Sequence, residues 1–178
     1  MNLKSHLQAF TLIELLVVIA IIAILMGLLF PAAQNAINSA KKTTAKNQAV
    51  QIATAITAYE AEYGRLPNPS SGAITNAGPA LVAMLCTTND TTNNPRAIVF
   101  LDSAAWKNGK GGTNATGYCD PWTNVYSVAL DTNYTNGLQL PVQTNSGGAI
   151  TTNTVTKHIG VWTVWTNGSA TYLMDSWD

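Results

Sequence analysis

The residue whose chemistry most constrains this chain is Glu14. It is a carboxylate set inside an otherwise apolar run, Phe10-Thr11-Leu12-Ile13-Glu14-Leu15-Leu16-Val17-Val18-Ile19-Ala20-Ile21-Ile22-Ala23-Ile24-Leu25. The apolar character continues to Phe30, close to the roughly 20 residues that a membrane-spanning helix needs. A charge within such a segment costs roughly 2.5–3.5 kcal/mol on insertion scales, so an acid there implies a function and a partner. Nothing else in the chain gathers into a reactive group. His6 lies near the N-terminus and His158 stands alone on an expected strand face. No Ser/His/Asp or Cys/His arrangement, phosphate-binding loop or metal-spaced histidine cluster is visible, so no enzyme is expected.

The elements that must position Glu14 follow from composition and periodicity. The 178 residues leave room for one membrane segment and one modest soluble domain. Nine basic and nine acidic residues balance, and no basic tract points to nucleic acid. Beyond Phe30 the helix is predicted to continue to about Tyr63, because Ala49, Ile52, Ala53, Ile56, Tyr59 and Tyr63 form one stripe at three- and four-residue spacing. Gly64 supplies the stop. Within the helix, Pro31 has no N–H for the Gly27 carbonyl and its ring crowds that group, so a kink or a locally melted turn is expected over residues 27–33.

After about residue 64, Thr, Asn and Gly dominate, a composition of strands and long loops. Gly78 to Leu85 reads as a short helix with Pro79 in its first turn. Ala97 to Leu101 reads as a strand or a buried extended run. Val125 to Leu130, Leu138 to Val142, Ile159 to Thr166 and Ala170 to Met174 read as strands, the last two joined by an Asn167-Gly168 hairpin turn. The expected fold class is α+β, a long N-terminal helix packed on a small antiparallel sheet. If the domain is exported, Cys86 and Cys119 could form a disulfide contributing about 3–4 kcal/mol; two buried free thiols are the alternative.

The stretch Ala9-Phe10-Thr11-Leu12-Ile13-Glu14 and the apolar residues after it resemble the prepilin signature of type IV pilins and type II secretion pseudopilins. The resemblance implies a leader peptide over 1–9, a transmembrane helix over 10–30, its amphipathic continuation over 31–64 and a periplasmic α+β domain over 65–178. It implies that a prepilin peptidase cuts between Ala9 and Phe10 on the cytoplasmic side and methylates the new amine of Phe10. The family usually has Gly before the cut where this chain has Ala9. Glu14 would then neutralise the α-amine of Phe10, its own or a neighbour's, as subunits enter a filament; a paired buried charge costs far less than an isolated one. The proline at the position of Pro31 marks a stretch that unwinds in family filaments. Lys41, Lys42 and Lys46 after the apolar run favour the reverse orientation, but cleavage at Ala9 requires a cytoplasmic N-terminus.

Two further segments narrow the resemblance. Asp120-Pro121-Trp122-Thr123-Asn124-Val125-Tyr126 is similar to the Asp-Pro-Trp-Gly-x-x-Tyr motif of major, G-type pseudopilins, with Thr123 in place of Gly. The closing Asp175-Ser176-Trp177 is similar to their terminal Ser-Trp. By residue chemistry the first motif is structural: Asp120 caps a turn that Pro121 fixes, while Trp122 and Tyr126 fill the core. Calcium is the one ion the resemblance suggests, but the ligand places hold Tyr172 and Leu173, with Asp175 out of step. No cofactor or metal is expected, since calcium needs six to eight oxygens. The implied partners are other copies of the chain, minor pseudopilins, the prepilin peptidase, an inner-membrane assembly platform with its ATPase, and the inner membrane itself. The implied role is a subunit of a type II secretion pseudopilus. Two rivals stay open: a type IV pilin for adhesion, motility or DNA uptake, and a membrane-anchored binding protein.

Overall fold

Fifty-two consecutive residues, Leu12–Tyr63, form helix α1. A computed structural model describes residues 10–68, 75–87, 90–135, 137–145 and 147–177. The chain divides into two compact units, Met1–Ala40 and Lys41–Asp178, and α1 contributes to both. The buried residues of α1 begin at Ala45.

In the first unit, residues 12–30 are all exposed. An 18-residue window of α1 has a mean hydropathy of 3.1 with no residue buried, so the helix is long and apolar enough to cross a membrane. Pro31 lies inside the helix, and the helix runs unbroken through residues 27–33. Of the kink or melted turn expected there, the melted turn is absent from this conformation.

In the second unit, Ala45, Ala49, Ile52, Ala55, Ile56 and Tyr59 of α1 are buried, with Ala53 and Tyr63 packed against the same core. The predicted stripe is therefore present, widened by the small residues Ala45 and Ala55. Gly64, at φ +66°, turns the chain out of the helix while its N–H donates to the Glu60 carbonyl at 2.8 Å. Helix α2 (Pro79–Cys86) starts on Pro79 as expected and adds Leu81, Met84 and Leu85 to the core.

Among the described residues seven strands follow: β1 (Gly112–Asn114), β2 (Gly117–Cys119), β3 (Ser127–Leu130), β4 (Leu138–Gln143), β5 (Ile150–Val155), β6 (Ile159–Asn167) and β7 (Ala170–Asp175). Antiparallel β3-β6-β7 form the main sheet, while β1-β2 and β4-β5 are separate antiparallel hairpins. Tyr118, Tyr126, Val128 and Val161 carry the strand side of the core that α1 and α2 cover. The arrangement is the expected α+β fold.

Several local expectations change. Residues 97–101 form no strand. Their backbone instead closes the end of α2: the N–H groups of Phe100 and Leu101 both donate to the Leu85 carbonyl, at 2.8 and 2.9 Å. Fully buried Asn94 supports them. Its Nδ2 donates to the carbonyls of Met84 and Ile98 at 3.1 and 2.7 Å, and its Oδ1 accepts the Tyr63 hydroxyl at 2.6 Å. Helix-end carbonyls need such partners, and they outbid a sheet for this run. The β6–β7 turn is Gly168-Ser169, because Asn167 already pairs with Ala170; Gly168, at φ +61°, takes the left-handed place.

Cys86 and Cys119 are free thiols, so the disulfide is not formed. Half-buried Cys86 lies among Ile52, Leu81, Leu101 and Tyr118, where burial pushes its thiol pKa up. Buried Cys119 instead turns to its own hairpin, 3.5 Å from Asn114 Oδ1.

The Tyr126 hydroxyl ties the sheet side to α1, lying 2.9 Å from Gln48 Oε1 and 3.1 Å from the Ala45 carbonyl. Burial raises its pKa well above the ordinary phenol value. The unfolded chain ionises this tyrosine near pH 10 while the folded chain keeps its proton. The associated stability is therefore complete below about pH 10 and falls by about 1.4 kcal/mol per pH unit above it. Urea unfolding of the wild type should show this decline between about pH 10 and pH 12. Tyr126→Phe should make the decline shallower, leaving the part due to the other buried groups whose pKa values burial raises, Tyr59, Tyr118 and Cys86, at a cost of about 1 kcal/mol at neutral pH.

Candidate functional site

Glu14 sits in the first turn of α1, immediately after Thr11 and Leu12 open it. The two polar residues form a reciprocal cap. Glu14 Oε2 accepts the Thr11 backbone N–H at 2.8 Å and the Thr11 hydroxyl at 2.7 Å, while the Glu14 N–H donates to Thr11 Oγ1 at 3.3 Å. This is a capping box, Thr at the N-cap and Glu three residues on. It occupies N–H groups that a helix start otherwise leaves without partners, and it places negative charge at the positive end of the helix dipole. Glu14 also shares an open apolar concavity with Phe10, Ile13, Val17 and Val18. Among the described residues the partner of Glu14 is thus Thr11, a residue the sequence reading passed over. The signal was present, since Thr-x-x-Glu ahead of an apolar run is the capping pattern itself. Ala9 lies outside the described residues. Gly27 faces open space, with no atom within 4 Å of where a side chain would begin.

The second group of predicted residues forms a structural hub. Asp120 is fully buried, and its carboxylate gathers four donors: the N–H groups of Trp122 (2.8 Å) and Asn124 (2.9 Å), Asn124 Nδ2 (3.1 Å) and the Thr163 hydroxyl of β6 (2.7 Å). Asp120 therefore caps the Pro121 turn, as expected, and also pins it to the sheet. Tyr126 fills the core as predicted. Trp122 does not; it is half-buried and stacks on Trp165 at 4.9 Å, which in turn stacks on Tyr172 at 5.3 Å. Lys42 of α1 closes the ladder, its ammonium 3.1 Å from the Tyr172 ring centre. Spacing gave no sign of this contact, because Lys42 and Tyr172 meet only in the folded unit.

The C-terminal marker residues act the same way. The Val161 N–H donates to Ser176 Oγ at 3.1 Å, and the Ser176 N–H donates to the Val161 carbonyl at 3.0 Å. Trp177 meets Trp162 edge to face at 5.9 Å. The residues at the calcium-ligand places do not fit the ion: Tyr172 stacks on Trp165, and the Leu173 N–H donates to Gln143 Oε1 at 2.9 Å. His158 is not alone on a strand face. It precedes β6, and its Nδ1 lies 3.5 Å from buried Asp131.

Residues 5–30 match the family described as the prokaryotic N-terminal methylation motif. Prepilin peptidase-dependent protein D of Escherichia coli strain K12 is 31% identical to the chain over 123 residues, an alignment covering 64% of this chain and 83% of that protein. No solved structure matches. A long exposed apolar helix with a capped carboxylate in its first turn, continued into a small α+β unit, defines a prepilin-type protein. The chain belongs to that family, the superfamily of type IV pilins and type II secretion pseudopilins.

Thr123 stands where the motif it resembles has Gly, and its φ is +76°. A β-branched residue is strained there. Thr123→Gly should raise stability by about 1 kcal/mol in chemical unfolding. Asp120→Ala, which strips two backbone N–H groups and the Thr163 hydroxyl of their acceptor, should lower it by about 3 kcal/mol or more in the same measurement.

Proposed function

We propose that this chain is a structural subunit of a type II secretion pseudopilus, a filament built from the inner membrane that drives export of folded proteins, and that it is not an enzyme. The observation that carries the proposal is the capping box at the head of an exposed apolar helix. After a cut between Ala9 and Phe10, that box would stand at the very start of the mature chain. The curated relative's name states dependence on a prepilin peptidase, and the same processing is proposed here, with methylation of Phe10. The chain would then cross the inner membrane once, N-terminus in the cytoplasm and the α+β unit in the periplasm. In the waiting subunit, Thr11 holds Glu14 through local hydrogen bonds. On entry into the filament, the carboxylate would turn to the α-amine of a neighbouring Phe10, exchanging hydrogen bonds for an ion pair. An assembly platform and its ATPase would drive that addition, with minor pseudopilins and further copies of the chain as filament partners.

The Asp120 turn and the Ser176-Trp177 clasp support a major pseudopilin over a type IV pilin. Both are packed as structural features in the positions where the pseudopilin resemblance lies. Two free cysteines also fit this reading better than a disulfide-closed pilin domain.

Mass spectrometry of the N-terminus, combined with filament and export assays on wild type and Glu14→Ala, tests the reading. The expected result is a mature chain beginning at methylated Phe10, with filaments and export both lost in the variant. Loss of surface fibres with export intact would assign the chain to the type IV pilins. An uncleaved chain, indifferent to the residue at 14, would leave an anchored binding protein.

A further inference from the structure

Strand edges carry unpaired N–H and C=O groups that invite other chains, and folds usually close or charge them. In this unit the edges are closed one after another. On the side of β3 away from β6, Ser127 bridges Asn76 and the Val128 N–H donates to the Thr75 carbonyl at 3.0 Å. On the side of β7 away from β6, Gly147 bridges Thr171, and Gln143 inserts its side-chain amide like a short strand. Its Oε1 accepts the Leu173 N–H at 2.9 Å and its Nε2 donates to the Thr171 carbonyl at 2.5 Å. β1 is met through Trp106, whose N–H donates to the Thr113 carbonyl at 2.8 Å, and β2 through Ala77, whose carbonyl accepts the Tyr118 N–H at 2.7 Å. The outer side of β4 carries Pro141, a residue with no N–H to offer a further strand, and Leu140 packs against Gly160 of β6.

β5 is the exception. It pairs with β4 from Leu138↔Val155 to Gln143↔Ile150, yet Thr151, Thr152, Asn153 and Thr154 are all exposed. Among the described residues, no strand or isolated bridge lies along its other side. The strand Ile150-Thr151-Thr152-Asn153-Thr154-Val155 also lacks the guards that residue type provides, having no lysine, no acid and no proline.

We propose that β5 is the pairing edge for β5 of a second copy, giving an antiparallel four-stranded sheet, β4-β5-β5-β4, about a two-fold axis. Among the described residues the strand left open is β5 itself, so a second copy presents a matching edge with no charge to oppose it. One edge meeting its own copy is an isologous contact, and the two-fold makes it antiparallel. Thr and Asn suit the role, since Thr–Thr cross-strand pairs are favourable and no like charges are brought together. Such a contact closes on two copies. It joins free subunits in pairs, or two filaments side by side, and cannot by itself propagate a fibre. The inference does not depend on the secretion reading.

Sedimentation equilibrium of the full chain in detergent tests it, comparing wild type with the double variant Thr152→Lys and Asn153→Lys. The two substitutions place like charges across the two-fold on both faces of the strand. Wild type should show a concentration-dependent dimer, and the variant should dimerise at least roughly tenfold more weakly with an unchanged unfolding midpoint. A wild type that stays monomeric at high micromolar concentration, or a dimer equally tight in the variant, overturns the proposal. Hydrogen exchange on wild type decides the matter if the variant fails to fold. Alternate β5 amides should be protected when concentrated and lose that protection on dilution; amides that exchange equally fast at both concentrations overturn it.

Discussion

The constraint on which the rest of the structure depends is that helix α1 must satisfy two surroundings with one backbone. Over residues 12–30 it presents apolar side chains on every face, and none of them is buried. Such a surface is stable in lipid, where the helix meets all its backbone hydrogen-bonding needs internally. From Ala45 onward the same helix has a single buried face, and the unit Lys41–Asp178 is assembled on it. The weak points of such a helix are its ends. At the start, Thr11 and Glu14 satisfy each other; at the finish, Gly64 turns the chain away.

The globular unit is held as much by buried polar hubs as by apolar area. A unit with short strands and long Thr/Asn segments has few repetitive hydrogen bonds to rely on. Asn94 gathers the end of α2, the following irregular run and Tyr63 of α1, while Asp120 gathers its own turn and β6. Both side chains are fully buried. Polar groups so placed are stabilising only when every lone pair and proton is used, and they then specify one arrangement among many of similar apolar burial. The motif that marks the family resemblance at 120–126 is thus explained by folding, with no need to assign it a ligand.

The separation of roles is consistent with a subunit that acts by assembly. On the proposed reading, the chemistry would lie in the first turn of α1 and the α+β unit would supply surface. Lys42 shows how the two kinds of residue differ in energetics. Its ammonium is placed by an aromatic ladder from two distant parts of the sequence, the Trp122 turn and the β6–β7 hairpin. Glu14, by contrast, is held within one turn of its own helix.

That difference also separates what was legible from what was not. The apolar run, the intrahelical carboxylate, the core stripe of α1, the Pro79 helix start and four of the strands are all short-range patterns. They depend on periodicity, turn chemistry and the cost of charge in lipid, which a sequence carries by itself. Even the Thr11–Glu14 cap was written there as a three-residue spacing. Residues 97–101, expected as a strand or a buried extended run, form no strand, because the N–H groups of Phe100 and Leu101 found the open carbonyl of Leu85. β5 gave no alternating signal, since four of its six residues face solvent. Cys86 and Cys119 stayed unpaired, the first committed to the core and the second to its own hairpin. For residues 97–101 and for Cys86 the deciding partners lie elsewhere in the chain, whereas Cys119 is held within its own hairpin. Local propensity determined which segments could be helices and strands; the satisfaction of buried polar groups across the fold decided which of them were and what they touch.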